Sequence, residues 1–291
     1  MTDSVAVPVP IPTPFVNNFF TLTHQFYADH RSAILIATGT VLTGWLYNLL
    51  WVNRRLSSSS TLMTNKTVVI TGGSSGIGYE TAKDLARRGA RLIIVSRNPK
   101  KGQAAVAKLR DKSGNKQIEF MQCDLCSLDS VKNFCNAYNE KESRLDVLIN
   151  NAGILFGLDV VTKDGYNSIV QANYLGHFLL TNLLLDKLKQ CKPSRIINVS
   201  SSIHSKDPLY GAVGLLRFVI FYPLLYLAKT FFAKTSKRGA QTIIYCAVAS
   251  ELINSNEIYF ENCSPQQPNQ ICLDAQNIDR LWKASCEAVG L

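Results

Sequence analysis

The sequence predicts an α/β protein built on a doubly wound parallel sheet, and three observations carry that prediction. Residues 66–70 form a short β-branched run suited to a strand buried on both faces. The glycine-rich run Thr71-Gly72-Gly73-Ser74-Ser75-Gly76-Ile77-Gly78 follows at once, and residues 79–88 then place apolar side chains at helical spacing up to a helix stop at Gly89. Strands predicted at 67–71, 91–96, 118–123, 145–150 and 195–199 alternate with helical stretches, a pattern that implies right-handed crossovers. No internal repeat is visible.

Strand, glycine turn and helix N-terminus together make a phosphate cradle of the Rossmann type. Backbone N–H groups point at the anion, the helix dipole favours negative charge, and a Cβ at the glycines would block the approach. A glycine triplet alone is weak evidence, but this context points to dinucleotide binding by Gly72, Ser74, Ser75, Gly76, Ile77 and Gly78.

At 291 residues with 46% hydrophobic residues the chain has material for one large domain, or one domain and an appendage. Its eight scattered cysteines suit reduced thiols better than a disulfide framework. Cys123 and Cys126 form one Cys-x-x-Cys with no second pair to complete a zinc site, so no metal is expected. The net charge of +10 lacks the interleaved aromatic series of a nucleic-acid binder, and nucleic acid is not an expected partner. Many basic residues fall between Lys83 and Lys116, among them Arg87, Arg88, Arg91 and Arg97. They read equally as a solvated face or as attraction for a phosphorylated cofactor or an anionic membrane.

Ahead of the sheet, residues 1–31 read as a flexible tail. Residues 32–52 are apolar, uncharged and long enough to cross a bilayer of about 30 Å as a helix, with Trp45, Tyr47 and Trp51 suited to an interfacial belt. A cleaved signal peptide fits less well, because the segment lies far from the start and lacks a basic region before it. Arg54 and Arg55 follow directly, and positive-inside bias places the following domain in the cytosol. The sequons at Asn65, Asn198 and Asn262 would then go unmodified. Residues 53–65, with the serine run 56–60, read as a linker to a domain spanning 66–291.

Gly72-x-x-x-Gly76-x-Gly78 departs from the usual G-x-G-x-x-G spacing. With Asn150-Asn151-Ala152-Gly153 after the fourth strand, it resembles the short-chain dehydrogenase/reductase family. Further stretches narrow the resemblance to the membrane-anchored, retinol-dehydrogenase-like branch: Cys123-Asp124-Leu125, residues 172–181, residues 195–201, Gly239-Ala240-Gln241-Thr242 and residues 281–285. The resemblance implies roles. Gly72, Gly76 and Gly78 pack under the pyrophosphate, Asp124 accepts a hydrogen bond from the adenine amine, and Asn151 and Gly153 shape the adenosine-ribose pocket. A helix N-cap is the alternative for Asp124. Arg97, where an NAD-specific member would carry a carboxylate, favours the 2′-phosphate of NADP, helped by Lys100 or Lys101. Asn173, expected to open a helix running to Leu188, matches the asparagine that holds a water in the proton relay. Ser201 matches the serine that hydrogen-bonds the substrate carbonyl, with Ser200 and Ser202 leaving the register open by one.

The family's hydride chemistry also uses a Tyr-x-x-x-Lys pair, the lysine lowering a tyrosine pKa of about 10 toward neutrality. No such pair follows Ser201. Tyr210, Tyr222, Tyr226 and Tyr245 lack lysine four places on, and Lys206 precedes Tyr210 across Pro208. Tyr226 and Lys229 lie three apart, within the apolar stretch 212–233. No Pro-Gly dipeptide occurs anywhere in the chain, although the family touches the nicotinamide with one. An internal deletion of one contiguous block near Asp207, as a skipped exon would produce, accounts for all of this and leaves the sixth-strand region incomplete. The stretch 212–233 reads as a lid against a membrane, or as a core helix pair. The expected function is NADP(H)-dependent oxidation or reduction of a lipophilic alcohol or carbonyl at an intracellular membrane such as the endoplasmic reticulum, impaired in this chain. The alternative is a non-catalytic isoform that dimerises with itself or with a full-length family member.

Overall fold

A computed structural model describes residues 30–32, 35, 38–40, 42–44, 46, 59–154, 160–201, 235–253, 255 and 258–291. The chain divides into two units, Met1–Arg54 with Phe218–Ala233 and Arg55–Arg217 with Lys234–Leu291. In the first, the described residues between His30 and Leu46 are helical. Among the described residues no helix is long and apolar enough to cross a membrane. The span expected at 32–52 lies largely outside them, as do Tyr210, Tyr222, Tyr226 and the stretch 212–233.

The second unit runs β1 (Thr67–Thr71), α1 (Gly76–Arg87), β2 (Arg91–Ser96), α2 (Pro99–Ser113), β3 (Ile118–Gln122), α3 (Leu128–Lys141) and β4 (Val147–Asn150). Then follow α4 (Gly176–Gln190), β5 (Arg195–Asn198), α5 (Ser236–Val248), the two-residue strands β6 (Phe260–Glu261) and β7 (Ser264–Pro265), and α6 (Ala275–Val289). The parallel sheet has the order β3-β2-β1-β4-β5. β1 lies in register with β2 from Thr67↔Arg91 to Thr71↔Val95, and with β4 from Val68↔Val147 to Ile70↔Ile149.

Strand periodicity divides the core in two. Val68, Ile70, Leu92, Ile94, Val147 and Ile149 meet Leu85, Leu109 and Ile244 of α1, α2 and α5 on one face. Val69, Ile93, Val95 and Leu148 meet Phe134, Leu179 and Leu184 of α3 and α4 on the other. Local chemistry starts and stops the helices. Asn98 accepts a hydrogen bond from Lys101 N–H at 3.0 Å, Pro99 holds the first position of α2, and Gly114 ends it at φ 71°. At the foot of the sheet the buried Asp146 carboxylate accepts hydrogen bonds from Arg144, Lys66 and the Thr67 N–H. Burial pushes that carboxyl up, but these three donors together hold it below the usual range.

The helix expected to open at Asn173 begins earlier. Asn167 accepts hydrogen bonds from Ile169 and Val170 N–H, starting a turn at Ser168–Val170 that runs through a π-helical turn, Gln171–Leu175, into α4. Asn173 therefore sits inside the π turn, a feature that often marks functional sites. The first helix likewise starts at Gly76, three residues before the apolar pattern begins.

The outer side of the sheet differs from its centre. Every residue of β1 and β4 is buried, whereas β5 alternates between half-buried and exposed. Ile197 packs on the α5 face, while Ile196, on the opposite face, is 40% exposed. Among the described residues no strand pairs with the outer edge of β5, and β6 and β7 form a separate antiparallel pair.

Candidate functional site

A cleft of about 630 Å³ opens at the carboxyl ends of β1, β2 and β4, where open α/β sheets bind ligands. Gly72, Ser74, Ser75, Gly76, Ile77, Gly78, Arg97, Asp124, Asn151 and Gly153 all line it. Residues separated by up to 81 positions are thus brought into one site by the crossing of β1 and β4.

Its floor admits only glycine at two positions. A Cβ on Gly78 would lie 2.4 Å from Asn151 Nδ2 and 2.5 Å from the Gly72 carbonyl oxygen. A Cβ on Gly72, at φ +67°, would lie 2.9 Å from Ala152 Cα. Above that floor is the start of α1, whose N-cap Ser75 makes no side-chain hydrogen bond and whose first turn holds no acidic residue. Helix dipole, open amides, Arg97 and Lys101 converge on the cleft, an arrangement that fits a phosphorylated, anionic group.

The far wall is held by a network hidden from sequence. Thr71 Oγ1 accepts hydrogen bonds from Asn151 N–H at 2.9 Å and Ala152 N–H at 3.0 Å. Its proton is then free to go to His177 Nε2 at 2.8 Å, which leaves Nδ1–H to donate to the Asn173 carbonyl at 3.2 Å. Asn151 Nδ2 donates to the Thr71 carbonyl, and the Asn173 side chain clamps Ile154 by accepting from its N–H and donating to its carbonyl. One imidazole thus ties the end of β1, the turn after β4 and the π turn together.

Burial holds the His177 imidazole below its ordinary pKa of 6.5, and the hydrogen bond to Asn173 opposes this only in part. Below that pH the unfolded chain binds a proton that the folded chain refuses, so stability falls as the solution is acidified through about pH 6.5. The midpoint of urea unfolding will drop between about pH 7.5 and about pH 5.5, and His177→Gln will flatten that slope.

Asp124 is not a helix cap. Ser127 caps α3 by accepting from Ser130 N–H, while Asp124 accepts from Cys126 N–H at 3.0 Å in a local turn and faces the cleft. Burial pushes the Cys123 thiol up to about 12 and raises that of Cys126, so neither is poised as a thiolate. Among the described residues no cluster of three or more His, Cys, Asp or Glu side chains suited to a metal ion occurs.

The two residues assigned to chemistry are not brought together in this cleft. Asn173 stands behind Gly153, its Oδ1 3.6 Å from where a Cβ there would be. Ser201 lines a second cleft of about 660 Å³ along β5, between that strand, α5 and β6. Tyr245 on α5, the one candidate tyrosine after Ser201 among the described residues, packs its ring against Phe260 of β6. Burial and then Glu251 raise its pKa, opposite to what proton transfer near neutrality needs. Sequence reasoning missed Thr71, Ser236 and His177. A polar residue closing a fully buried strand was the signal for Thr71, and none marked Ser236.

The short chain dehydrogenase profile matches residues 66–213. Mouse retinol dehydrogenase 12 is 32% identical, covering 78% of this chain and 87% of that protein, and human retinol dehydrogenase 11 is 32% identical, covering 82% and 92%. The alignment with the mouse protein extends over 274 residues yet uses about 227 of the 291 here, so about 47 positions lack a counterpart. The human protein leaves about 55 of 294 positions unmatched in the same way. Among solved structures, an uncharacterized protein from Mycobacterium paratuberculosis superposes with a TM-score of 0.58 at 27% identity, covering 81% of this chain and 97% of that one. With the glycine cradle, the sheet order and these matches in agreement, the chain belongs to the short-chain dehydrogenase/reductase family, among relatives of the retinol dehydrogenases.

Proposed function

We propose that this chain binds NADP(H) in the glycine-floored cleft but has lost most or all of the family's turnover. One observation carries the reading: ten assigned residues line one cleft as a cofactor cradle, while no Tyr-x-x-x-Lys follows Ser201, which lines the adjoining cleft that shares Ile77 with it. The unmatched positions in the retinol dehydrogenase alignments support an internal deletion, which the absent Tyr-x-x-x-Lys places near Asp207. NADP(H), when bound, supplies or takes up hydride. What this chain contributes is a pyrophosphate seat at the α1 N-terminus, Asp124 for the adenine amine and Arg97 for the 2′-phosphate. The names of the relatives, together with the apolar stretches 32–52 and 212–233, support a lipophilic, retinoid-like substrate class and a single membrane anchor. The catalytic-type domain then faces the cytosol, at the endoplasmic reticulum or another intracellular membrane.

Purified full-length chain in detergent, given NADPH and retinal, will bind the nucleotide and leave the retinal unreduced. Retinal reduction above a blank without protein overturns the loss of turnover, and failure to bind NADPH overturns the cofactor reading. Arg97→Ala will weaken NADP binding about 10- to 100-fold, or about 1.4–2.8 kcal/mol, by removing the cation that pairs with the 2′-phosphate. Binding of NAD will change little, and calorimetric titration of both nucleotides checks the contrast. A second reading, a regulatory isoform that pairs with a full-length relative, draws support from the outer edge of β5, which no strand pairs with among the described residues, and its test is co-purification with that relative.

A further inference from the structure

We infer that the second cleft is a docking slot for one extended, apolar polypeptide segment donated in trans by a protein partner. The inference rests on the proposed internal deletion. One wall of the slot is β5 with the three residues after it, Val199–Ser201, and the other is Tyr259–Asn262, which contains β6, so a strand borders it on two sides. Its back is α5, through Gly239, Thr242, Ile243 and Cys246.

Chemistry selects the occupant. A free strand edge presents a row of backbone N–H and C=O groups that only another extended backbone can satisfy as a set. A lipid or a small hydrophobic molecule leaves those groups dry and unpaired. Around the edge stand exposed apolar side chains, Ile196 on β5, Val199 just after it and Ile258 beside the opposite wall. The one cation of the strand, Arg195, is turned inward to donate to the carbonyls of Cys246 and Ala249. The slot therefore asks for a strand of about five residues with β-branched or other apolar side chains. The retinol dehydrogenase alignments show that relatives carry about 47 or about 55 residues that this chain lacks, enough for a strand with its crossover helix. A segment of that composition, supplied by a partner, completes the sheet in place of one the chain does not encode.

The test uses the full chain with a synthetic peptide comprising the positions of mouse retinol dehydrogenase 12 that lack a counterpart here. Hydrogen exchange is followed at the amides of β5 and β6. The expected result is at least tenfold slower exchange at Arg195–Asn198 on adding peptide, about the minimum that marks a new backbone pairing. Ile196→Lys should abolish this protection, and Ile258→Lys, on the other wall, should do the same should the first variant fold poorly. Unchanged exchange with saturating peptide overturns the proposal. So does protection already present in the chain alone, whether from its own residues or, as a concentration dependence would reveal, from a second copy. NADP binding is measured in the same samples. Nucleotide binding without peptide protection sinks the slot alone, whereas loss of nucleotide binding counts against the proposed function.

Discussion

Gly78→Ala will abolish detectable NADP binding, weakening it by about 100-fold or more, equivalent to about 2.8 kcal/mol. The added methyl would sit 2.5 Å from the Gly72 carbonyl and 2.4 Å from Asn151 Nδ2. The first neighbour is backbone at a φ of +67° and has little freedom to move. The second is pinned by its own hydrogen bond to the Thr71 carbonyl at 2.9 Å. Relief therefore requires α1 to lift from β4, which takes its N-terminal amides away from the phosphate seat. Overpacking of this kind typically costs about 1–3 kcal/mol of fold stability as well. Gly76→Ala is the informative control. Its Cβ meets nothing within 4 Å, so only the strained φ of +58° is felt, about 1 kcal/mol, and the fold should survive. Titration calorimetry with both variants separates a steric floor from a merely flexible loop.

Inserting the positions of mouse retinol dehydrogenase 12 that lack a counterpart here between Asp207 and Pro208 will raise NADPH-dependent retinal reduction above that of the parent chain. Positioned acid–base catalysis contributes about 10²–10⁴-fold, so the rise should be at least in that range. The same insertion should raise the melting temperature, because a covering strand and helix remove exposed Ile196 and Val199 from water at about 25 cal/mol per Å². An insertion variant that is stabilised, binds NADPH and still turns nothing over would show that the proposed deletion does not account for the proposed loss of turnover.

Much of the fold was legible because parallel strands buried on both faces write themselves as β-branched runs. The predicted 67–71 and 91–96 coincide with β1 and β2, and the other three strands differ by one or two residues at an end. The shortfall at β4 is smaller than its boundaries suggest. Asp146 lies just before the strand, and its backbone still donates to the Thr67 carbonyl and accepts from the Arg195 N–H, so strand-like bonding extends one residue beyond the regular element that starts at Val147. The residues that line the first cleft were legible for a related reason. A glycine turn between a buried strand and a helix has few uses, and Gly72 and Gly78 leave no room for any other side chain.

The sequence by itself determined the parallel α/β class, the glycine turn between β1 and α1, most of the residues that line the cleft there, and the absence of a Tyr-x-x-x-Lys after Ser201. These follow from local pattern, since periodicity, turn chemistry and spacing act over a few residues. Only the tertiary structure decided that Thr71, His177 and Asn173 form one network, that Ser127 rather than Asp124 caps α3, and that Ser201 lines a cleft along β5 that adjoins the glycine-floored one at Ile77. It also decided that, among the described residues, β5 ends the sheet with an apolar, partly exposed face. Each of these depends on which strands become neighbours across tens of residues, a choice made by burying the whole sheet between two helical layers.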